Sequence, residues 1–344
     1  MNESNSSGYN RYRLLNEADL PKLPQMEWVV KNILPSSGLA AIFGPPGSGK
    51  SFICLDLALA IAGGQSWFGA RVKQTPVAYM WLEGASGFRT RVDAWKLRTG
   101  QALPKLFSFV LQPFKLTDPK DLADLAQVLP AGAIVVIDTL NKAASPMDEN
   151  SSADMGKVIE AARALQAQTG GLVVLVHHTG KNVAAGLRGH SSLLGALDAA
   201  IEVTREGAVR CWCVTKQKDG ADGVERRFTL LEVGLGEDQD GDPITSCCVC
   251  EDQSDASTPL PQGLNQRAVL EAIEPLFDAG TADAPGTPPS TVSIRIEQAI
   301  MAGASKLSCP SDKRNTRARE AISGMISRGL LGSHEGWLWR RRQR

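Results

Sequence analysis

The stretch Gly44-Pro-Pro-Gly-Ser-Gly-Lys-Ser51 constrains this chain more than any other, because it completes the pattern G-x-x-x-x-G-K-[ST] between an apolar run at 39–43 and an apolar helical segment at 51–61. Each residue type has a physical task. Gly44, Gly47 and Gly49 let the backbone turn tightly enough to aim several N–H groups at one anion, with Pro45, Pro46 and Ser48 completing the loop. The helix that follows points its positive end at the same place. Lys50 supplies a cation for the terminal phosphates, Ser51 a hydroxyl for Mg²⁺, and Phe52, next on the helix, is the last of the residues expected to bind the nucleotide. A nucleoside triphosphate, ATP with Mg²⁺, is the expected ligand.

Around this loop, strand-like and helix-like segments alternate. Strands are expected at 77–82, 107–111, 133–137 and 172–176, and helices at 85–98, 118–129 and 152–168. In the last helix Met155, Val158, Ile159, Ala162 and Leu165 fall at helical spacing between a serine cap and Gly170. Such alternation predicts an α/β fold, a mostly parallel sheet with helices on both faces. Segments at 199–204, 208–215, 226–233 and 244–250 read as hairpin-linked strands extending that sheet antiparallel at one side.

Composition changes at 251–263, which is rich in Ser, Asp, Pro and Gln. The expected organisation is a polar arm at 1–25, an ATPase domain at 26–252, a linker at 253–263 and a small module at 264–344. Helices at 264–277, 292–302 and 315–328, then a hairpin near 330–339, make that module winged-helix-like, with 279–290 as an insert. The 344-residue chain carries 37 basic and 37 acidic residues, yet from 312 onward nine Lys/Arg face three Asp/Glu. This excess suggests contact with a polyanion, and the resemblance to a winged helix, whose third helix enters the major groove, implies that Lys313, Arg314, Arg317 and Arg319 lie near DNA, with 340–342 behind them. A protein-docking or merely solubilising face is the alternative.

No apolar run reaches the ~18 residues of a membrane span, and the polar start lacks the pattern of a signal peptide, so a cytoplasmic protein is expected. Seven cysteines, an odd number, fit reduced thiols. Cys211-Trp-Cys213 and Cys247-Cys-Val-Cys250 raise zinc as a possibility, against buried strand cysteines sharing a face.

Three strand ends carry the candidate chemistry. Asp138 follows the apolar run 133–137, where it can hold Mg²⁺ through water. Glu83 follows the strand at 77–82, suited to accept a proton from an attacking water; an exposed strand-end acid is the alternative. His178, in His177-His178 at the end of a third strand, can sense a phosphate through a hydrogen bond or simply cap a loop. Loops at 141–154 and 180–190, the latter with Lys181 and Arg188, suit contact with single-stranded DNA, although ordinary surface loops look the same.

The phosphate loop, Trp-Leu-Glu-Gly at Glu83, Ile-Asp-Thr-Leu at Asp138, Val-His-His-Thr-Gly-Lys at 176–181 and Leu-Arg-Gly-His-Ser-Ser at 187–192 together resemble the plasmid RepA-type hexameric helicases. These are AAA-type P-loop ATPases of the RecA/DnaB-like group, and the resemblance spans about 27–233. It implies a RecA-like core, ATP hydrolysis between subunits of a homohexameric ring, and movement on single-stranded DNA in replication. Under it Lys50 and Ser51 bind phosphate and Mg²⁺, Asp138 holds the metal, Glu83 is the catalytic base and His178 the polar sensor. Lys216 and Lys218 fall where the group carries a Lys-x-Arg pair reaching a neighbour's nucleotide. Here the second residue lacks the planar guanidinium fork, leaving Arg205 or Arg188 as substitutes. Two further classes stay open: a DNA-binding ATPase switch that does not unwind, and an ATPase that acts on a protein partner.

Overall fold

The computed structural model describes residues 14–23, 25–148, 151–178, 191–252, 261, 263–327 and 329–341. The expected DNA loop at 180–190, including Lys181 and Arg188, lies outside them. So do residues 1–13 of the arm, 253–260 of the expected linker, and Arg342.

The apolar runs became the central strands because each has sheet neighbours on both edges and helices on both faces. A short hairpin, β1 (Trp28–Val30) and β2 (Leu34–Pro35), precedes the strand β3 (Gly38–Gly44) that feeds the phosphate loop. Then come α1 (Lys50–Gly63), β4 (Val77–Trp81), α2 (Ala85–Thr99), β5 (Phe107–Val110), α3 (Pro119–Val128), β6 (Ile134–Asp138), α4 (Leu140–Ala144), α5 (Ser152–Thr169), β7 (Leu172–His178) and α6 (Ser191–Ala196). The antiparallel run is β8 (Ala199–Glu206), β9 (Val209–Gln217), β10 (Glu225–Glu237) and β11 (Pro243–Glu251). These form one nine-stranded sheet in the order β11-β10-β9-β8-β3-β7-β6-β4-β5. Strands β8 through β5 in that order are mutually parallel, and β9 to β11 are antiparallel. The α/β core, a mostly parallel sheet with an antiparallel extension, is thus observed.

Alternation along β3 splits the core in two. Ala40 and Ile42 pack with α1 and α2, whereas Leu39, Ala41 and Phe43 face α3, α4 and α5. Helix α1 is apolar almost all round because the long β10–β11 hairpin returns over α1 and α2. There Trp67 stacks on Trp212 of β9 with ring centroids 4.7 Å apart.

A small C-terminal domain has its own core, built by α7 (Gly263–Asp278), β12 (Thr281–Ala282), β13 (Val292–Arg295), α8 (Ile296–Lys306), α9 (Ser311–Ser327), β14 (Leu331–His334) and β15 (Trp337–Arg340). Its sheet runs β12-β13-β15-β14. Two expectations are corrected here. The helix expected over 292–302 starts only at Ile296, because Val292–Arg295 is a strand that pairs with β15, burying both Ser293 and Ile294. The segment 279–290 is not a free insert, since Thr281 and Ala282 pair with β13 and Ala284 is buried. In the core, the expected loop 141–154 is partly helical, with Leu140, Ala143 and Ala144 of α4 buried and α5 already under way at Ser152.

Candidate nucleotide-binding site

The strand order decides the site. Because β7 lies between β3 and β6, the phosphate loop and Asp138 face each other across one intervening strand at the carboxyl rim. The loop itself uses positive φ at Gly44 (156°), Gly47 (75°) and Gly49 (98°). A side chain at Gly44 would meet the Val203 carbonyl oxygen of β8 at 2.0 Å, so only glycine allows that approach.

Lys50 is 4% exposed, and its ammonium donates to the carbonyls of Gly44 at 3.0 Å and Pro45 at 2.8 Å. Burial pushes this lysine down to about 8, partly offset by the charges of Asp138 and Glu83. Ser48 Oγ is buried without a hydrogen-bond partner among the described residues. Pro46 and Gly47 are exposed at the loop's tip.

Asp138 is fully buried and accepts from two hydroxyls: Ser51 Oγ at 3.2 Å on Oδ1 and the Tyr79 phenol at 2.7 Å on Oδ2. Burial raises its carboxyl to about 6, with those two hydrogen bonds pulling the other way. The neighbouring Thr139 Oγ1 donates to Glu83 Oε1 at 3.4 Å, which brings the second carboxylate to the same rim. Glu83 sits two residues beyond the end of β4, with α2 starting at Ala85. His178 ends β7 in register with Gly44.

Several contacts around the loop escape sequence reasoning. Arg91 of α2 lies between the rings of Phe52 and Trp81, at 4.2 and 4.6 Å from their centroids. Arg210 of β9 covers Gly49, where an added methyl would meet its Cδ at 2.9 Å. Tyr79 had one available signal, a lone hydroxyl in the otherwise apolar strand Val-Ala-Tyr-Met-Trp. The other two contacts had none, since helix and hairpin reach the loop only through the fold.

Lys216 and Lys218 are not brought to this chain's own phosphate loop. Strand β9 runs antiparallel to β8, so Gln217 pairs with Ala199 at the amino rim, the opposite edge of the sheet. There Lys216 Nζ caps α6 through the carbonyls of Leu194 (2.6 Å) and Gly195 (3.1 Å), and Lys218 Nζ pairs with Asp198 at 3.3 Å. Arg205 is at the carboxyl rim, its Nε donating to Gly207 O at 2.8 Å. In the C-terminal domain Lys313, Arg314, Arg317 and Arg319 are exposed along α9, while Arg340 is engaged with Glu274 and the Phe277 ring. Cys211 and Cys213 line one cavity, and among the described residues no group of three or more His, Cys, Asp or Glu is placed to hold a metal. No described helix is long and apolar enough to cross a membrane.

The donor set fits a metal-bound polyphosphate. A buried ammonium whose hydrogen bonds go to the neutral carbonyls of Gly44 and Pro45 gains from exchanging them for anionic oxygens. The orphaned Ser48 hydroxyl and the positive-φ cradle offer further partners, and Ser51 with Asp138 presents the hard oxygens that Mg²⁺ prefers.

A family model described as AAA domain matches residues 10–184. Among solved structures, one titled as the crystal structure of the RadB recombinase is similar with a TM-score of 0.44 and 14% identity, covering 57% of this chain and 88% of that chain.

Proposed function

The chain belongs to the AAA-domain family, and on that premise we propose that it is an ATP hydrolase that converts turnover into movement on single-stranded DNA, with unwinding during replication as its biological use. The observation that carries the hydrolase part is the convergence of Lys50, Ser51, Asp138 and Glu83 on one rim.

In this reading Lys50 turns from the Gly44 and Pro45 carbonyls to the terminal phosphates, aided by Ser48 and the loop N–H groups from Gly44 to Phe52. When bound, Mg²⁺ with ATP would supply charge neutralisation at the transferred phosphoryl group. Ser51 and Asp138 would hold the metal, Glu83 orients a water and accepts its proton, and His178, beside Gly44, serves as the polar sensor of the terminal phosphate. Lys216 and Lys218 lie far from this chain's own loop, so a role in hydrolysis would be exercised on a neighbour's nucleotide in a ring.

DNA contact rests on the motif order and on charge. The exposed cations of α9 support a winged-helix role for the C-terminal module, with 264–344 as a duplex- or strand-anchoring unit and 26–252 as the motor. A second reading, a DNA-bound ATPase switch without unwinding, is favoured by one observation. Lys218 carries no guanidinium fork and is already paired with Asp198.

The test is ATP hydrolysis with and without single-stranded DNA, followed by strand displacement on a forked substrate. Stimulated turnover with a displaced strand supports the motor. Stimulation without displacement supports the switch, and turnover indifferent to DNA overturns both.

A further inference from the structure

We infer that Tyr79 is a positioning residue for the metal-binding carboxylate, its phenol fixing the outer oxygen of Asp138 so that the inner one stays turned toward Ser51. The inference rests on the nucleotide–metal reading given above.

Tyr79 is fully buried in β4, beside β6 in the sheet. Its ring is held by Trp81, Phe88 and Phe107, with centroids 6.3, 6.0 and 6.3 Å away, so the hydroxyl has a fixed address. That address is Asp138 Oδ2 at 2.7 Å, the shorter of the two hydrogen bonds this carboxylate accepts from side chains. Phenylalanine would fill nearly the same volume, so core packing explains the ring and leaves the hydroxyl to be explained by its polar partners, Asp138 and the neighbouring Cys54 thiol. A carboxylate held at both oxygens by donors on different elements cannot swing about its Cβ–Cγ bond. Outer partners of this kind orient metal ligands, and losing one weakens metal affinity by roughly 10- to 100-fold.

The experiment uses the full chain and separates metal binding from nucleotide binding. A fluorescent ADP analogue is titrated in EDTA, and Mn²⁺ is then titrated into the ADP complex by EPR. Wild type failing to bind ADP or Mn²⁺ overturns the underlying site assignment. With wild type binding both, Tyr79→Phe should bind ADP in EDTA as wild type does and bind Mn²⁺ about 10- to 100-fold more weakly. Unchanged Mn²⁺ affinity, or an equal loss of metal-free ADP binding, overturns the role of Tyr79. In an Asp138→Asn background the same change should cost nothing further; an equal loss there would mark the tyrosine as merely structural. If Tyr79→Phe does not fold, 3-fluorotyrosine at this position keeps the shape and alters the donor. A shifted Mn²⁺ affinity then supports the inference, and an unchanged one overturns it.

Discussion

Ser51 on the phosphate loop and Asp138 at the end of β6 lie 3.2 Å apart, Oγ to Oδ1, although 87 positions separate them in the chain. Strand β7 inserts between β3 and β6, so the two strand ends meet at the rim across one intervening strand.

Glu83→Gln keeps the side chain's shape and removes its ability to accept a proton. Nucleotide binding should be retained while turnover falls by roughly 10²- to 10⁴-fold. Paired binding and single-turnover measurements check this, and lost binding would make Glu83 a structural residue.

Lys50→Met removes an ammonium whose burial lowers its pKa from 10.5 to about 8. A folded value below the unfolded one means the charged lysine costs stability at neutral pH, and the cost disappears as pH rises from about 8 toward 10.5. The variant should therefore lose nucleotide binding and turnover while the melting temperature of the nucleotide-free protein at pH 7 stays level or rises. Calorimetry beside a binding titration reads both.

Asp56 of α1 is a partly buried carboxylate whose Oδ2 accepts from Trp67 Nε1 at 2.9 Å, and burial raises it from 3.8 to about 6. The folded state then holds its proton more tightly than the unfolded chain. Stability from this group is lost as pH climbs from about 4 to 6 and stays reduced above, by up to about 3 kcal/mol. Asp56→Asn can still accept from Trp67, so the variant should be more stable than wild type at pH 7 and equal to it near pH 4. Denaturant melts at the two pH values provide the comparison.

Lys218→Ala breaks an exposed pair with Asp198, worth less than about 1 kcal/mol, so stability should barely move. If Lys218 serves a neighbour's nucleotide, turnover of the assembled protein should fall by 10-fold or more. Mixing the variant with a Glu83→Gln protein should then restore some activity, because each subunit supplies what the other lacks. Absence of both effects would return the search to Arg205 and Arg188.

Replacing Lys313, Arg314, Arg317 or Arg319 with Gln should weaken DNA binding across sequences and lower the slope of log affinity against log salt by about 1 per lost phosphate contact. Arg340, already engaged with Glu274, should matter less for that slope. Fluorescence anisotropy at several salt concentrations separates the two cases.

What the chain's sequence determined alone is local. The pattern 44–51 dictates a turn that needs three positive-φ glycines, and apolar runs ending in Asp138 and His178 dictate buried strands, because steric limits and hydrophobic periodicity act within a few residues. The alternation of these runs was enough for a mostly parallel sheet. Edges were less legible: Val292–Arg295 looks helical beside Ile296–Lys306 until β15 offers it a hydrogen-bonding partner. Tertiary structure alone decided which strand ends become neighbours. It put Tyr79 and Ser51 on the two oxygens of Asp138, laid Arg91 between Phe52 and Trp81, and sent Lys216 and Lys218 to the opposite rim. These relationships depend on strand order and direction, which hydrogen bonding between distant segments sets and which no spacing along the chain encodes.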